Sequence, residues 1–308
     1  MTYKRADEPT TRIKSLTAVV WIDMAAQSSQ SVEAGLQTLL TNSRFELMPF
    51  ESFTDEISHL PDGGTVAVTT SPQLGISTTV ERSVQAAEAG YDVVPHIAAR
   101  YVEDREQLAR ITEQLAEAGV TDLFIPGGDR EEPAGEFESS LDMLEVLVEL
   151  DHSFEDIGIT GYPEGHDFIS DDELYEALEA KQDHATYIVT QLCYDPAAVL
   201  GWIEEIRDRG IDLTVEIGIP GVMNYKRLMG ISRKVGVGDS VKFLQKTTGI
   251  MATVKSIVGS RGNYTPDRLV EGLAPYAEDP EYDIGGLHIY TFNQTPDTES
   301  WRLGRLAD

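Results

Sequence analysis

Residues 187–220, YIVTQLCYDPAAVLGWIEEIRDRGIDLTVEIGIP, contain the pattern that decides the fold of this chain. Apolar runs rich in Val and Ile predict strands over Tyr187–Asp195 and Asp212–Pro220, each buried on both faces as in a parallel sheet. Between them, the helix predicted over Asp195–Arg209 begins with a capping aspartate, has proline in its first turn and ends before Gly210. The stretch therefore predicts one β–α–β unit.

The same alternation of strands and helices continues outward in both directions along the chain. Further predicted strands are Arg44–Phe50, Thr65–Thr70, Tyr91–Ala98, Asp122–Asp129, Asp156–Glu164 and Gly285–Asn293. Apolar residues at helical spacing predict a helix over Asp104–Ala118, with Gly119 as its C-cap. The repeated alternation predicts an α/β fold, the (β/α)8 TIM barrel. An open doubly wound sheet is the alternative, but no GxGxxG motif follows an early strand.

The remaining segments are expected to decorate a single barrel domain over residues 1–308. Residues 1–43 form an N-terminal extension in this interpretation, and residues 44–308 form the barrel. A helix over Ser28–Leu40 is predicted to plug the bottom of the barrel. Val222–Ala277 is predicted to hold extra helices before the last strand.

Composition excludes several classes of function. Asp and Glu number 53 against 24 Lys and Arg in 308 residues, a net charge of −29, which repels nucleic-acid phosphates and anionic lipid. No apolar stretch approaches the about 20 residues that span a bilayer, and residues 1–13 lack a signal-peptide core, so we expect a cytoplasmic protein. The spread of acidic residues favours a halophilic protein over an ordinary acidic one. A single cysteine, Cys193, excludes an internal disulfide.

Active sites of such barrels lie at the C-terminal ends of the strands, where polar residues gather in this sequence. Two chemistries follow from residue types alone. His96, His166, Asp129 and Glu164 could ligate a metal, but no histidine pair has metal-binding spacing within one element, so we expect no metal. Glu46 and Asp129 could form a carboxylate pair for hydrolysis.

A third interpretation comes from the order of short segments along the chain. The segments are FELMPF, VAVTT, PHIA, GGD, YPEGH, IVTQLCYD, GVMNY and HIYTFN, between Phe45 and Asn293. This succession resembles the methylenetetrahydrofolate reductase family over nearly the whole predicted barrel, and YPExH followed by TQxxxD is its most specific part. The resemblance implies an enzyme that reduces methylenetetrahydrofolate, with FAD as cofactor and NAD(P)H as hydride donor. The oligomeric state stays open, and a homo-oligomer is compatible with the sequence.

The resemblance also implies roles for individual residues near the folate. Glu46 matches the general acid that helps open the five-membered ring of the folate. Asp129 matches an aspartate beside flavin and pterin that stabilises the cationic iminium. Gln191 matches a glutamine that hydrogen-bonds the pterin, Tyr225 matches a stacking aromatic, and Tyr290 is assigned to the substrate. Structural alternatives are an ion pair for Glu46, a turn for Asp129, and core packing for Gln191 and Tyr225.

Flavin contacts follow from the same resemblance. The implied residues are Thr69, His96, Gly127, Gly128, Asp129, Ser140, Tyr162, His166 and Lys181. Lys181 would counter the charge of the cofactor diphosphate. For His96 and His166, the structural alternative is a ring tied to a backbone carbonyl.

Three positions depart from the family pattern by losing a basic residue. Gly127, Ala180 and Gln294 stand where the family has basic side chains, and residues 71–79 are also altered. Because these charges would meet anionic ligands, their loss leaves two alternatives open. One is a flavin-free pterin reductase that uses a nicotinamide or deazaflavin directly. The other is a non-catalytic accessory protein that binds a pterin or flavin.

Overall fold

The computed structural model describes residues 30–234 and 263–307. Parallel strands form the centre of the fold, and a short antiparallel pair, β8 and β9, lies outside it. The strands are β1 (Ser43–Leu47), β2 (Thr65–Val68), β3 (Asp92–Pro95), β4 (Asp122–Phe124), β5 (Asp156–Gly161), β6 (Tyr187–Thr190), β7 (Thr214–Pro220), β8 (Met223–Asn224), β9 (Asn263–Tyr264) and β10 (Ile284–Tyr290).

The large sheet has eight strands in the order β3-β2-β1-β10-β7-β6-β5-β4, and every recorded pair in it is parallel. Its two ends meet, because His96 after β3 bridges Phe124 of β4 and the Ile97 amide donates to the Phe124 carbonyl at 2.9 Å. The eight strands thus close into a ring in chain order. The predicted (β/α)8 barrel is confirmed, and the open doubly wound sheet is excluded.

All the predicted strands are present, but several end earlier in the structure than the apolar pattern predicts. The sixth was predicted to continue to Asp195, whereas β6 ends at Thr190. Leu192 and Tyr194 are nevertheless buried. The apolar run continues because the chain stays under other loops at the mouth of the barrel, while strand pairing has already stopped. Side-chain burial therefore continues beyond the last residue whose backbone pairs with a neighbouring strand.

Helices surround the barrel and cover the outward faces of the strands. They are α1 (30–41), α2 (Phe53–Ile57), α3 (Gly75–Glu88), α4 (Arg105–Glu117), α5 (Ser140–Val148), α6 (Asp171–Lys181), α7 (Pro196–Asp208), α8 (Tyr225–Lys234), α9 (Asp267–Leu273) and α10 (Thr295–Ala307). Short 3-10 turns occupy Ala99–Tyr101, Gln182–His184 and Ala274–Tyr276. Within the described ranges, no helix combines the length and apolar character that a membrane crossing requires.

The two helices predicted in detail begin and end as their sequences indicate. Asp104 caps α4 by accepting a hydrogen bond from the Gln107 amide at 2.7 Å, and Asp195 caps α7 through the Ala197 amide. Gly119 follows the end of α4 with φ of 78°. This left-handed conformation favours glycine, because a Cβ atom would be strained there.

The N-terminal helix lies beside the bottom of the barrel. In α1, Gln37 Nε2 donates to the Leu306 carbonyl at the end of α10 at 3.2 Å, and Gly35 packs on the Ala274 carbonyl after α9. A cavity of about 370 Å³, lined in part by Arg44 and Glu216, remains at the starts of the strands. The helix therefore does not plug the barrel as predicted, and residues 28 and 29 lie outside the described residues.

The segment before the last strand has the expected extra helices. Over the predicted range Val222–Ala277, the structure describes β8, α8, β9 and α9 in that order. Residues 235–262 of this range lie outside the described part of the chain. The paired β8 and β9 were not predicted, since each has two residues and gives no periodic signal.

Candidate active site

The interior of the barrel contains charged side chains in two layers on β1. Strand alternation directs Phe45 into the core between sheet and helices, where it is 1% exposed, and directs Arg44 and Glu46 to the opposite, inner face. On the neighbouring strand β10, His288 and Tyr290 take the same inner face. Arg44 belongs to a lower layer and Glu46 to an upper layer near the C-terminal mouth.

The lower layer is an ion network centred on Arg44. Its guanidinium lies 2.9 Å from Asp122 Oδ2 and 3.3 Å from Glu216 Oε1, and stacks over the Tyr187 ring at 4.4 Å. The Tyr187 hydroxyl donates to Asp122 Oδ1 at 2.7 Å. Burial raises the pKa of Asp122 and Glu216, and the charge of Arg44 pulls both pKa values back down. The positive charge of Arg44 and the negative charges of Asp122 and Glu216 therefore stabilise one another inside the barrel.

The upper layer is an acid–imidazole cluster of Glu46, His96 and His288. Glu46 Oε2 lies 3.2 Å from His288 Nε2, within hydrogen-bond range, and 3.7 Å from His96 Nδ1, beyond it. Both histidines are buried, and the Glu46 side chain is 14% exposed. A carboxyl group thus sits inside the barrel beside two imidazoles.

The protonation states of this cluster follow from burial. Desolvation raises the pKa of the Glu46 carboxyl, and a smaller effect of His96 opposes it. Desolvation also lowers the pKa of His96 and of His288 to about 3, so both rings are neutral near neutral pH. The cluster therefore combines a carboxyl that retains its proton to higher pH than usual with two uncharged imidazoles.

The same three side chains are of the types that ligate metal ions. Their ligand atoms lie within 4.8 Å of one another. However, the other ring nitrogens, His96 Nε2 and His288 Nδ1, are buried with no hydrogen-bond partner among the described residues. A metal-bound imidazole almost always donates through its second nitrogen to an acceptor, so this geometry favours an acid cluster over a metal centre. Of the four ligands considered from the sequence, only His96 belongs to this group.

The segment after β10 fixes the backbone around Glu46. The Thr291 hydroxyl donates to the Glu46 carbonyl at 2.6 Å, and Asn293 pairs with the backbone of Met48 through both side-chain amide atoms at 2.8 and 3.2 Å. Phe292 and Asn293 have φ of 48° and 54°, a left-handed conformation that is uncommon outside glycine. Such strain persists where surrounding contacts impose it, and it is frequent at active sites.

Asp129 lies in the loop after β4, directly after the predicted flavin contacts Gly127 and Gly128. Its Oδ1 accepts a 2.6 Å hydrogen bond from the Tyr101 hydroxyl, while Gly128 before it has φ of 96°. Burial, together with this hydrogen bond, raises the pKa of Tyr101 to about 12. The Gly127 carbonyl accepts from the Arg100 amide at 2.9 Å. Asp129 is thus an exposed carboxylate that accepts one hydrogen bond, from the Tyr101 hydroxyl. This arrangement is compatible with a structural role in the turn and with a role in ligand binding.

The predicted folate residues border a second hydrophobic cluster at the mouth. Its buried members are Leu192, Tyr194, Met223, Leu228, Met229 and Tyr264. Tyr225 and Tyr290 pack against this aromatic cluster, and the Tyr290 hydroxyl donates to the Thr190 carbonyl at 2.9 Å. Gln191 immediately precedes it and accepts from the Leu192 amide through Oε1 at 2.8 Å. Tyr225 and Tyr290 therefore pack on the same aromatic cluster, and Gln191 lies next to it in the sequence.

Three further predicted contacts follow strand ends. Thr69 follows β2, and its amide donates to the Leu47 carbonyl at 3.0 Å. Tyr162 follows β5 and meets the His166 ring edge-on at 5.4 Å. His166 is exposed, and its Nδ1 accepts from the Phe168 amide at 3.3 Å. The idea that this ring is tied to a carbonyl is therefore wrong, because the ring nitrogen acts as the acceptor.

The last two predicted flavin contacts lie on helices. Ser140 is the buried first residue of α5, directly after the N-cap Ser139. Lys181 ends α6, is 6% exposed and, within the described part of the chain, has no hydrogen bond or ion pair. Burial lowers the pKa of Lys181 to about 8. Because α6 is roughly 16 Å long, Lys181 lies a helix length from the His166 loop.

Several residues of the site were missed at the level of sequence. His288 had a usable signal, since it stands two residues before Tyr290 on one strand and so shares its inward face. Thr291 and Tyr101 had none, because their contacts with Glu46 and Asp129 depend on how distant segments meet.

The sequence of this chain is similar to those of known proteins. The profile of the methylenetetrahydrofolate reductase family matches residues 47–300. A probable methylenetetrahydrofolate reductase (NADPH) of Caenorhabditis elegans is 23% identical over 269 residues, covering 79% of this chain and 38% of the relative. Methylenetetrahydrofolate reductase (NADH) 1 of Arabidopsis thaliana is 25% identical, covering 61% of this chain and 34% of the relative. The chain spans less than two fifths of the length of these relatives.

A solved structure shares the fold. It is an uncharacterized protein from Clostridium thermocellum, described as binding two copies of 5-methyl-5,6,7,8-tetrahydrofolic acid. The superposition has a TM-score of 0.59 at 12% identity and covers 86% of this chain and 92% of the other. At this level of identity, the likeness concerns the barrel alone.

Proposed function

Because this chain belongs to the methylenetetrahydrofolate reductase family, we propose that it reduces 5,10-methylenetetrahydrofolate to 5-methyltetrahydrofolate, with hydride passing from NAD(P)H through bound FAD. The observation that carries the proposal is the buried Glu46 carboxyl, whose pKa burial raises, at the C-terminal mouth of the barrel. That is the end at which enzymes of this fold hold their substrates.

Glu46 acts as the general acid in this proposal. Opening the five-membered ring of the folate breaks a bond between the one-carbon unit and a ring nitrogen, and that nitrogen needs a proton. An ordinary carboxyl is ionised at neutral pH and has no proton to give. Burial beside neutral imidazoles keeps the proton on Glu46 to higher pH. A positioned acid of this kind contributes on the order of 10²–10⁴-fold in rate.

Asp129 supplies negative charge at the same mouth. Ring opening leaves a cationic iminium on the folate, which a nearby carboxylate stabilises. The hydrogen bond from Tyr101 fixes one carboxylate oxygen, and the second oxygen makes no hydrogen bond within the described residues. In this proposal Asp129 stabilises the cation through its negative charge, while Glu46 transfers a proton.

The pterin ring is assigned to the edge of the aromatic cluster. Tyr225 and Tyr290 supply faces for stacking. Gln191 uses its Oε1 on the Leu192 amide, and its amide nitrogen has no hydrogen bond within the described chain, so that nitrogen can donate to a ring acceptor. The C. thermocellum barrel, described as binding a methylated folate, supports the view that this fold accommodates such a ligand.

Two groups in the structure fit FAD. Among the described residues, His96 Nε2 is buried without a partner, as suits a hydrogen bond to a flavin ring, and Lys181 is a buried ammonium without a counter-ion, as suits a diphosphate. When bound, FAD would supply a carrier that accepts hydride from the nicotinamide and passes it to the folate. Thr69, Gly127, Gly128, Ser140, Tyr162 and His166 would complete its surroundings.

One observation favours a second candidate, direct transfer without flavin. Gly127 and Gln294 are uncharged where the family has basic residues. Two arginines near the strand ends are also engaged with the protein, since Arg100 donates to three backbone carbonyls and Arg227 to the Phe292 carbonyl. The donor itself stays open, because the names of the relatives specify NADPH in one case and NADH in the other.

The visible absorption spectrum of the protein purified in molar salt separates these candidates. We expect flavin bands that NAD(P)H bleaches and methylenetetrahydrofolate restores. A colourless protein that takes up no FAD and still reduces the folate would establish the second candidate. A colourless and inactive protein would contradict both.

A further inference from the structure

We propose that His288 is the positioning residue of Glu46: it donates from Nε2 to Oε2 of the carboxyl and so leaves the acid proton on Oε1. The inference rests on the proposed function, in which Glu46 is the acid. It starts from the 3.2 Å contact between these two atoms, which is the one side-chain hydrogen bond of Glu46 within the described residues.

The direction of this hydrogen bond follows from the rest of the imidazole. A neutral ring carries one proton, on either Nε2 or Nδ1. His288 Nδ1 is buried and has no hydrogen-bond partner in the part of the chain that the structure describes. A buried N–H without an acceptor is rarer in proteins than a buried acceptor without a donor. The proton is therefore on Nε2, where it points at the carboxyl.

This donor determines where the carboxyl keeps its own proton. Oε2 accepts from the His288 ring, so a proton on Oε2 would face another proton. The proton of the acid form must then lie on Oε1, which makes no hydrogen bond within the described chain. One carboxyl oxygen is thus committed to the protein, and the other is free to deliver its proton to a ligand.

Within residues 30–234 and 263–307, no other group that faces Glu46 donates a hydrogen bond to its carboxyl. His96 approaches from β3 but stays 3.7 Å from Oε2. Tyr290 of β10 uses its hydroxyl on the Thr190 carbonyl. Arg44, two residues earlier on β1, is bound by carboxylates in the layer below. The orientation of the carboxyl therefore depends on His288.

The His288 ring is itself held in place. It stacks on the His96 ring at 5.5 Å with 26° between planes, and meets the Tyr290 ring at 5.0 Å and 64°. Thr291, three residues along the same chain segment, binds the Glu46 carbonyl. One segment at the end of β10 thus fixes both the backbone and the carboxyl of the acid.

Two amide variants provide a matched test. In His288→Gln the amide nitrogen can reach the place of Nε2, whereas in His288→Asn it reaches only the place of Nδ1. We expect His288→Asn to slow folate reduction by about 10- to 100-fold, since a misplaced catalytic group costs rates of that order. His288→Gln should lose roughly tenfold less. Stopped-flow measurement of both half-reactions should show the loss mainly in the folate step. Equal losses in the two variants would overturn the proposal.

A readout without turnover keeps the hydrogen bond testable on its own. The infrared C=O band of Glu46, assigned by its absence in Glu46→Gln, should move in His288→Asn and stay close to its original position in His288→Gln. In the unsubstituted protein, ¹⁵N resonances should show His288 protonated on Nε2 and bare on Nδ1. The opposite tautomer would overturn the proposal even if both variants fail to fold. If the tautomer and band behave as expected but no folate is reduced, the proposed function fails and the hydrogen bond stands.

Discussion

Arg44 and Glu46 stand two residues apart on β1, face the same interior and experience opposite environments. Arg44 lies within 3.3 Å of two carboxylates, whereas Glu46 has, among the described residues, only neutral imidazoles within 4 Å of its carboxyl. Burial disfavours the charged form of both groups. The partners decide the outcome: the guanidinium keeps its charge, and the carboxyl keeps its proton.

The two layers accordingly suit different tasks. The lower layer is compensated and distant from the mouth, so its contribution is to stability. The upper layer leaves a carboxyl uncompensated at the end where loops bring a substrate. An acid that must give up a proton near neutral pH requires such an environment, since a counter-ion would lower its pKa.

The largest expected effect is a loss of activity when Glu46, in the upper layer, is replaced. Glu46→Gln keeps the shape of the side chain and removes the ionisable proton, so folate reduction should fall by about 10²–10⁴-fold. Reduction of the bound flavin by NAD(P)H should be lost much less. Rapid-mixing kinetics of each half-reaction would show this, with Glu149→Gln, an exposed partner of Arg105, as control. Survival of both half-reactions in Glu46→Gln would remove the acid from the mechanism.

The next effect separates the layers by stability. Arg44→Met leaves Asp122 and Glu216 buried without their cation, which should cost about 3–5 kcal/mol in the free energy of unfolding. Urea denaturation would measure it. Arg105→Met is the matched control, because its ion pair with Glu149 is exposed and should be worth about 1 kcal/mol or less. Similar losses in the two variants would mean that the interior network adds nothing beyond a surface pair.

The smallest effect is a dependence of stability on pH. The folded pKa of His288 is about 3, below its value of 6.5 in the unfolded chain. The unfolded chain therefore binds a proton first, so stability is present above pH 6.5 and is lost as the pH falls towards 3. Replacing His288 with Gln should reduce the slope by about 1.4 kcal/mol per pH unit within this window. Urea midpoints between pH 4 and 6 would test it.

Glu46 contributes with the opposite sign. Its folded pKa is raised, so its stabilisation is present below the unfolded value of 4.5 and is lost as the pH rises through the folded value. Comparing variant and parent at each pH cancels the other carboxyl groups. If the slope in His288→Gln equals that of the parent protein, His288 is already charged in the folded state and the contrast between the layers fails.

Much of the fold was predictable because local sequence patterns specify its strands and the ends of its helices. Apolar runs predicted every barrel strand, and Asp104, Asp195 and Gly119 marked helix ends where they occur. Each of these signals acts between residues a few positions apart, so a single sequence carries it. The resemblance of ordered segments added the family, which the profile over residues 47–300 confirms.

The chemistry of the site was decided by tertiary structure. Glu46 and His288 are 242 positions apart in the chain, and they meet because β1 and β10 become neighbours when the barrel closes. Closure also buries the carboxyl, and burial is what raises its pKa. By itself, the sequence determined that a carboxyl stands near the end of an inner strand. Whether that carboxyl pairs with a cation, as Asp122 does with Arg44, or keeps a proton beside an imidazole depended on which strands came together.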